Sequence, residues 1–164
     1  MNAELITVHL GLGSNLGDRK ANLDQALGYL SHRLRVAKVS SVYDTEPVGN
    51  PNQPRFLNMV CQVETMIGPE ALLILLKGVE QKIGRLPGKP NSPRPIDIDI
   101  LFYGNRVINT PALVIPHPKL TERAFVLVPL AEIAPTLVHP VNKKNIEQLL
   151  GELKKGVQGV LKLE

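Results

Sequence analysis

Asp97 and Asp99 stand two residues apart in the run Arg94-Pro95-Ile96-Asp97-Ile98-Asp99-Ile100-Leu101-Phe102. Side chains alternate along a strand, so this spacing sends both carboxylates out of one face and leaves Ile96, Ile98 and Ile100 for the buried one. Asp is depleted in strands and two charges that close repel, so the pair costs stability unless a cation offsets it. Mg²⁺ suits such a pair, because it takes hard oxygen ligands from one or two carboxylates and completes its shell with water and phosphate oxygens. A solvated acidic face on an amphipathic strand is the competing account of the same two residues. Phe56 and Asn58 make a second pair at the same spacing, a flat ring beside an amide that donates and accepts. That combination can read a flat heterocycle, and it also fits an ordinary, partly buried strand. Arg85, Lys89, Arg94, His117 and Arg123 could embrace phosphates, Arg through a bidentate fork and Lys as a point charge, or could be scattered surface charges. Glu80 falls near a helix C-terminus, where the dipole disfavours an acid, so it asks for a polar partner.

The elements that must position these groups follow from periodicity. Leu5 to Leu10 is β-rich and is expected to end in a turn at Gly11-Leu12-Gly13-Ser14-Asn15, a glycine run too irregular for a dinucleotide loop because Leu16 stands where the third glycine belongs. A helix follows, with Leu23, Ala26, Leu27 and Leu30 at helical spacing and Asn15 or Asp18 as its cap. Val36 to Asp44 reads as one strand. Thr45 to Pro54 carries three prolines and no periodicity, so it reads as a long loop with a functional role. From Phe56 to Glu64 strand alternation resumes, with Leu57, Met59, Cys61 and Val63 on one face. A helix starts at Pro69 and ends at Gly84, and Arg85 to Pro95 is a second proline-rich loop feeding the Asp strand. Short edge strands are expected around Asn109-Thr110-Pro111, and helices over Leu120 to Ile133 and Asn145 to Leu153. The order β-α-β-β-α-β over the first 103 residues is the split βαβ pattern of ferredoxin-like α+β folds, with an added C-terminal segment; helices on one sheet face would leave the other for ligands.

The 164 residues suit a single domain over 1–164 with one core, and 43% apolar and 21% charged residues are globular values. No apolar run approaches the roughly 20 residues of a membrane helix, and the start of the chain lacks the pattern of a signal peptide. One cysteine, Cys61, forms no internal disulfide, which points to a cytoplasmic protein. The net charge of +4 suits a polyanionic ligand or an ordinary basic surface.

Taken in order, Gly13-Ser14-Asn15-Leu16-Gly17-Asp18-Arg19, Thr45-x-Pro47-x-Gly49, Gln53-x-x-Phe56-Leu57-Asn58, Pro93-Arg94-x-x-Asp97-x-Asp99-Ile100-Leu101, and Ile115-Pro116-His117-Pro118 with Arg123-Ala124-Phe125-Val126-Leu127 resemble the 6-hydroxymethyl-7,8-dihydropterin pyrophosphokinase family as far as about Pro135. The resemblance implies an enzyme of folate biosynthesis that moves the β,γ-pyrophosphoryl group of ATP onto the pterin hydroxymethyl and releases AMP. It implies that Asp97 and Asp99 hold two Mg²⁺ ions and act in catalysis with Arg94, His117 and Arg123. Thr45, Pro47, Val48, Phe56, Asn58 and Phe125 match the pterin site. Glu80, Ile100, Arg94, His117 and Arg123 match the nucleotide side, to which Arg85 and Lys89 are added from their place in the loop. The partners implied are ATP and hydroxymethyl-dihydropterin, with no nucleic acid and no membrane, and the protein is expected to be a monomer.

The stretch Arg85-Leu86-Pro87-Gly88-Lys89-Pro90-Asn91-Ser92 departs from the family, which commonly carries an aromatic and further arginines there. Ala112 and Val114 stand where some members put polar nucleotide contacts. The alternative from another class is a non-catalytic ferredoxin-like module that binds pterin or nucleotide. A two-metal nuclease would need a contiguous basic groove, which the sequence does not supply.

Overall fold

The computed structural model describes residues 4–48, 51–88, 92–153 and 159–163. Strand β1 (Ile6–Ser14) leads to helix α1 (Arg19–Ser31), whose first turn is capped by Asp18 accepting from the Ala21 amide at 3.1 Å. Strands β2 (Arg35–Val39) and β3 (Tyr43–Thr45) precede the long β4 (Phe56–Thr65). Helix α2 (Pro69–Ile83) opens on Gly68-Pro69 and stops where Gly84 turns left-handed at φ 109°, as its glycine and proline signals require. Strand β5 (Asp97–Tyr103) completes the β-α-β-β-α-β core. The two-stranded ladder of β6 (Ile108–Asn109) and β7 (Val114–Ile115) follows, then a 3₁₀ turn at Leu120–Glu122 and helix α3 (Ala124–Ile133). Helix α4 (Ile146–Glu152) begins with a capping box between Asn145 and Gln148, and β8 (Val160–Lys162) ends the described chain.

The main sheet runs β5-β1-β4-β3-β8 with every pair antiparallel, and β2 pairs with the other half of β4. With β2 and β3 taken as one interrupted strand, this is the ferredoxin-like order expected. The interruption has a chemical cause. Ser40 bonds its own N–H to the Val60 carbonyl at 2.8 Å, while its hydroxyl accepts the Val60 N–H at 2.9 Å, so a side chain replaces a ladder bond and splits the single strand expected over 36–44.

Two further expectations are corrected, and one segment without a prediction gains a strand. Strand β1 does not end at Gly11; it runs through Gly13 because both glycines are paired on two sides, Gly11 with Val60 and Asp99 and Gly13 with Asn58 and Asp97. Two ladders outweigh the entropy that glycine loses in a strand, and the turn comes later at Gly17, with φ 74°. The helix expected from Leu120 is broken at Arg123, which is extended and caps α3. The C-terminal segment adds a sheet strand, β8, too short for its alternation to be read from sequence.

Helices α1 and α2 cover one face over Leu10, Leu12, Met59, Cys61, Ile98 and Ile100. The other face is not left free along its length. Helices α3 and α4 bury Val60, Leu101 and Phe102 under Leu127, Leu130 and Ile146, each such side chain contributing roughly 1.5–3 kcal/mol. Beyond this second core lie Gly11, Gly13, Phe56, Asn58, Asp97 and Asp99, lining a pocket.

Candidate functional site

Strand alternation delivers both predicted pairs to this pocket. Asp97 and Asp99 face it from β5, directly across from Gly13 and Gly11 of β1, while Phe56 and Asn58 face it from β4. The glycines form a floor without side chains. A Cβ on Gly13 would stand 2.6 Å from Asn58 Nδ2 and 3.4 Å from the Phe56 ring. Thr45 donates its hydroxyl to Asn58 Oδ1 at 2.6 Å, which fixes the amide, and Nδ2 lies 3.5 Å from the Leu12 carbonyl. Val48 and Phe125 line the same pocket; Pro47 is half-buried between Glu46 and Val48, both of which line it. Gly49 of the matching motif lies outside the described residues.

A second, larger cleft of about 650 Å³ opens beside the first, with Arg85, His117 and the loop around Arg94 in its walls. Four residues belong to both cavities: Arg94, Asp97, Asp99 and Arg123. The Arg94 guanidinium sits 4.9 Å over the Phe56 ring and 3.4 Å from Asp97, and that of Arg123 sits 5.3 Å over Phe125. The Nε atoms of both arginines are buried with no hydrogen-bond acceptor among the described residues. A buried guanidinium N–H left unpaired is costly, so these two donors suit an anionic ligand.

Electrostatics concentrate on the acid pair. Burial, then repulsion from Asp97, pushes the Asp99 carboxyl up to about 7 against the pull of Arg123 and Arg94. Asp97 is ion-paired with Arg85 at 2.8 Å and with Arg94 at 3.4 Å, so two guanidinium groups supply positive charge beside it. The donor set fits Mg²⁺: two hard carboxylates on one face, with room beside them for phosphate and water. Among the described residues no group of three or more His, Cys, Asp or Glu could hold a metal without such help.

The remaining predicted residues take varied places. His117 lines the cleft, and burial, then Arg123, lowers it to about 4, so it is neutral at pH 7; its Nδ1 accepts from the Lys119 amide at 3.3 Å, which leaves the proton on Nε2. Glu80 is buried behind the cleft, where its Oε2 accepts from the Ile98 N–H at 2.7 Å and from Arg85 at 3.1 Å. Burial raises the Glu80 carboxyl, and those two donors oppose the rise. Glu80 lines neither cavity; it has the polar partners its position asked for. The Ile100 side chain is in the core. Strand β5 is an edge strand whose Ile98 N–H points outward to Glu80, so alternation puts the Ile100 N–H on the same open edge, just before the register shifts at Leu101. Lys89 lies outside the described residues.

Sequence reasoning missed two contributions. Gly11 and Gly13 were expected to make a turn and instead make the pocket floor. Of the two caps expected for α1, Asp18 takes the task, and Asn15 instead bonds to two distant loops, to Gln53 and Pro54 and to Arg94. An amide that both donates and accepts, placed where chain segments converge, was the available signal.

Comparison with known proteins places these features in a group. Residues 9–135 match the family model described as 7,8-dihydro-6-hydroxymethylpterin-pyrophosphokinase (HPPK). The 2-amino-4-hydroxy-6-hydroxymethyldihydropteridine pyrophosphokinase of Aquifex aeolicus is 42% identical over 148 residues, covering 90% of this chain and 92% of that protein. The protein of the same name from Bacillus subtilis is 44% identical over 127 residues, 76% of each chain. The folic acid synthesis protein fol1 of Pneumocystis carinii is 44% identical over 140 residues, but this chain spans 19% of its length. In structure, the HPPK-DHPS of Plasmodium falciparum superimposes with a TM-score of 0.73 at 18% identity, over 92% of this chain and 45% of that one.

Proposed function

The chain belongs to the 7,8-dihydro-6-hydroxymethylpterin-pyrophosphokinase family, and from that membership we propose that it transfers pyrophosphate from ATP to 6-hydroxymethyl-7,8-dihydropterin, giving the pterin diphosphate and AMP in folate synthesis. The observation that carries the reading onto this chain's own residues is the border shared by the two cavities. Arg94, Asp97, Asp99 and Arg123 line both the pocket and the open cleft, so a reacting phosphorus and its acceptor would meet among two acids and two guanidinium groups.

The pterin ring lies in the pocket against Phe56 and Phe125, with Asn58 reading its edge. Thr45 keeps the Asn58 amide in one orientation, so its hydrogen-bonding pattern is set before the ligand arrives. The triphosphate lies in the cleft. There Arg94 and Arg123 offer their unpaired Nε donors, His117 offers a neutral Nε2–H, and Arg85 adds charge. The open backbone edge at Ile100 is available to the nucleoside, behind which Glu80 holds β5 and Arg85 in place. Mg²⁺ held by Asp97 and Asp99, two ions in this reading, would supply charge neutralisation across the phosphates. The pterin hydroxymethyl oxygen attacks the β-phosphorus, an O–P bond forms there, the bond to the α,β-bridging oxygen breaks as AMP leaves, and the hydroxyl proton passes to water. The protein's part is to align the two substrates and to balance charge, which phosphoryl-type transfer chiefly demands.

We take residues 1–164 as one pterin pyrophosphokinase domain, supported by two core clusters on the two faces of a single sheet. A monomer in the cytoplasm completes the proposal; the free, buried Cys61 accords with a reducing compartment. Incubation with ATP, Mg²⁺ and hydroxymethyl-dihydropterin, resolved by chromatography, is expected to yield AMP and pterin diphosphate. Formation of ADP, or no turnover, would overturn the assignment, and turnover undiminished by chelation would remove the metal.

A further inference from the structure

Asn15 follows the last residue of β1 and is 1% exposed. Its Nδ2 donates to Gln53 Oε1 at 2.8 Å and to the Pro54 carbonyl at 3.1 Å, both on the loop that enters β4. Its Oδ1 accepts the Arg94 N–H at 2.8 Å, and its own N–H donates to the Arg94 carbonyl at 3.1 Å, on the loop that enters β5. One buried residue thus gathers three segments that are remote in sequence. Pro54 is two residues before Phe56, which faces the pterin pocket, and Arg94 is three before Asp97, on the border with the phosphate cleft.

We infer that Asn15 is a positioning residue that sets the pterin side and the phosphate side of the site in register with each other. The inference rests on the proposed function for the identity of the two ligands. The geometry asks for an amide and nothing else among the natural side chains of this length. Both Nδ2 hydrogens are used on carbonyl-type oxygens, and the Oδ1 lone pair is used on a backbone N–H. Asp has the shape but no donor, so it would set a carboxylate against the Pro54 carbonyl while still accepting from Arg94. Ala gives up both arms. The contact of Arg94 with Phe56 lies between the two arms, so a shift of either loop changes how the guanidinium sits over the ring.

The test uses calorimetry on the full chain, titrated separately with a non-hydrolysable ATP analogue plus Mg²⁺ and with hydroxymethyl-dihydropterin. Asn15→Ala is expected to weaken both ligands by about tenfold or more, as expected for lost buried hydrogen bonds. Asn15→Asp is expected to weaken the pterin by about tenfold and the nucleotide by less than about threefold, because the bond to Pro54 is broken while Gln53 can turn its unpartnered Nε2 to the carboxylate and the Arg94 arm is kept. A purely structural residue would lower the unfolding midpoint without this split between ligands. Equal weakening of both ligands by Asn15→Asp, or weakening of neither by Asn15→Ala, would overturn the inference. So would failure of both variants to fold, since Asn15 would then be a determinant of folding. Should the unaltered protein bind neither ligand, the functional reading itself fails; should it bind both and the variants not split them, only the role of Asn15 fails.

Discussion

The two sides of the site are built differently. The proposed pterin pocket stands on strand residues: Asn58 is fixed by Thr45, and the floor is two glycines paired on both sides. The proposed phosphate cleft combines the acids of β5 with basic side chains from loops, and its charges are spent on one another. Asp97 holds Arg85 and Arg94, while the buried Nε donors of Arg94 and Arg123 have no acceptor. The hydrogen-bonding pattern of the pocket is therefore set in advance, though the guanidinium groups packed on Phe56 and Phe125 must yield to a ring, whereas the cleft must exchange internal ion pairs for ligand contacts. Strands can hold a fixed shape for a neutral ring. A site for a highly charged ligand must keep its own charges solvated or paired until that ligand arrives.

The acid pair gives the largest expected break. Asp97→Ala or Asp99→Ala should lower the rate of AMP formation by about 10³-fold or more, because charge neutralisation at the transferring group is the main catalytic term. Retention of turnover would sever the acids from the chemistry. Stability should move the other way. The folded Asp99 carboxyl, at about 7, lies above its ordinary 3.8, so the folded chain holds this proton more tightly than the unfolded one. Its contribution is then full below the unfolded value and is lost as pH rises through 7. Asn at this position keeps the shape and removes that dependence. Asn at residue 99 should therefore raise the melting temperature at pH 8 by about 2–4 °C, with the gain fading towards pH 4. Melting curves across pH that are parallel for the two proteins would show that Asp99 is not strained by its neighbours.

Gly13→Ala should separate the two sides with a smaller effect. The backbone of Gly13 needs no left-handed conformation, so the added methyl acts through contact alone, 2.6 Å from Asn58 Nδ2. Displacing that amide should raise KM for the pterin by about tenfold and leave the nucleotide affinity within about twofold. An equal rise for both substrates in steady-state assays would mean that pocket and cleft are a single adaptable site, and the contrast drawn above would fall.

How much of this could be read beforehand divides along the same line. A period of two was enough to place Asp97 with Asp99 and Phe56 with Asn58 on strand faces, and Gly68-Pro69 and Gly84 marked α2 at both ends. The dipole argument at Glu80 asked for a polar partner, and Ile98 and Arg85 supply it. Gly11 and Gly13 misled because glycine is unfavourable in an isolated strand, and only the two flanking ladders reverse that preference. The break between β2 and β3 depends on where one serine hydroxyl points, which periodicity does not encode. In the loops, residue types showed basic character, but pairings such as Arg85 with Asp97 or Asn15 with Arg94 arise from segments far apart in sequence. They are decided by tertiary structure.

Arg85 offers the subtlest measurement on the cleft. Its guanidinium is about one-third exposed and bridges Asp97 at 2.8 Å and Glu80 at 3.1 Å. Hydrogen bonding and charge from Asp97 and Glu80 outweigh burial and raise its pKa, so it is a cation throughout the working range. Arg85→Gln should leave Glu80 bonded to the Ile98 N–H, and leave Asp97 with the more distant Arg94 as its only guanidinium partner among the described residues. A competing cation would be gone from the acid pair. Mg²⁺ should then bind the nucleotide-free protein about twofold to threefold more tightly, the scale set by a partly exposed ion pair. The nucleotide should bind a few-fold more weakly, through loss of one phosphate donor. These opposite signs are what an internal stand-in for the ligand's charge requires. If metal and nucleotide both weaken, Arg85 organises the cleft rather than guarding it, and the cleft is as preformed as the pocket.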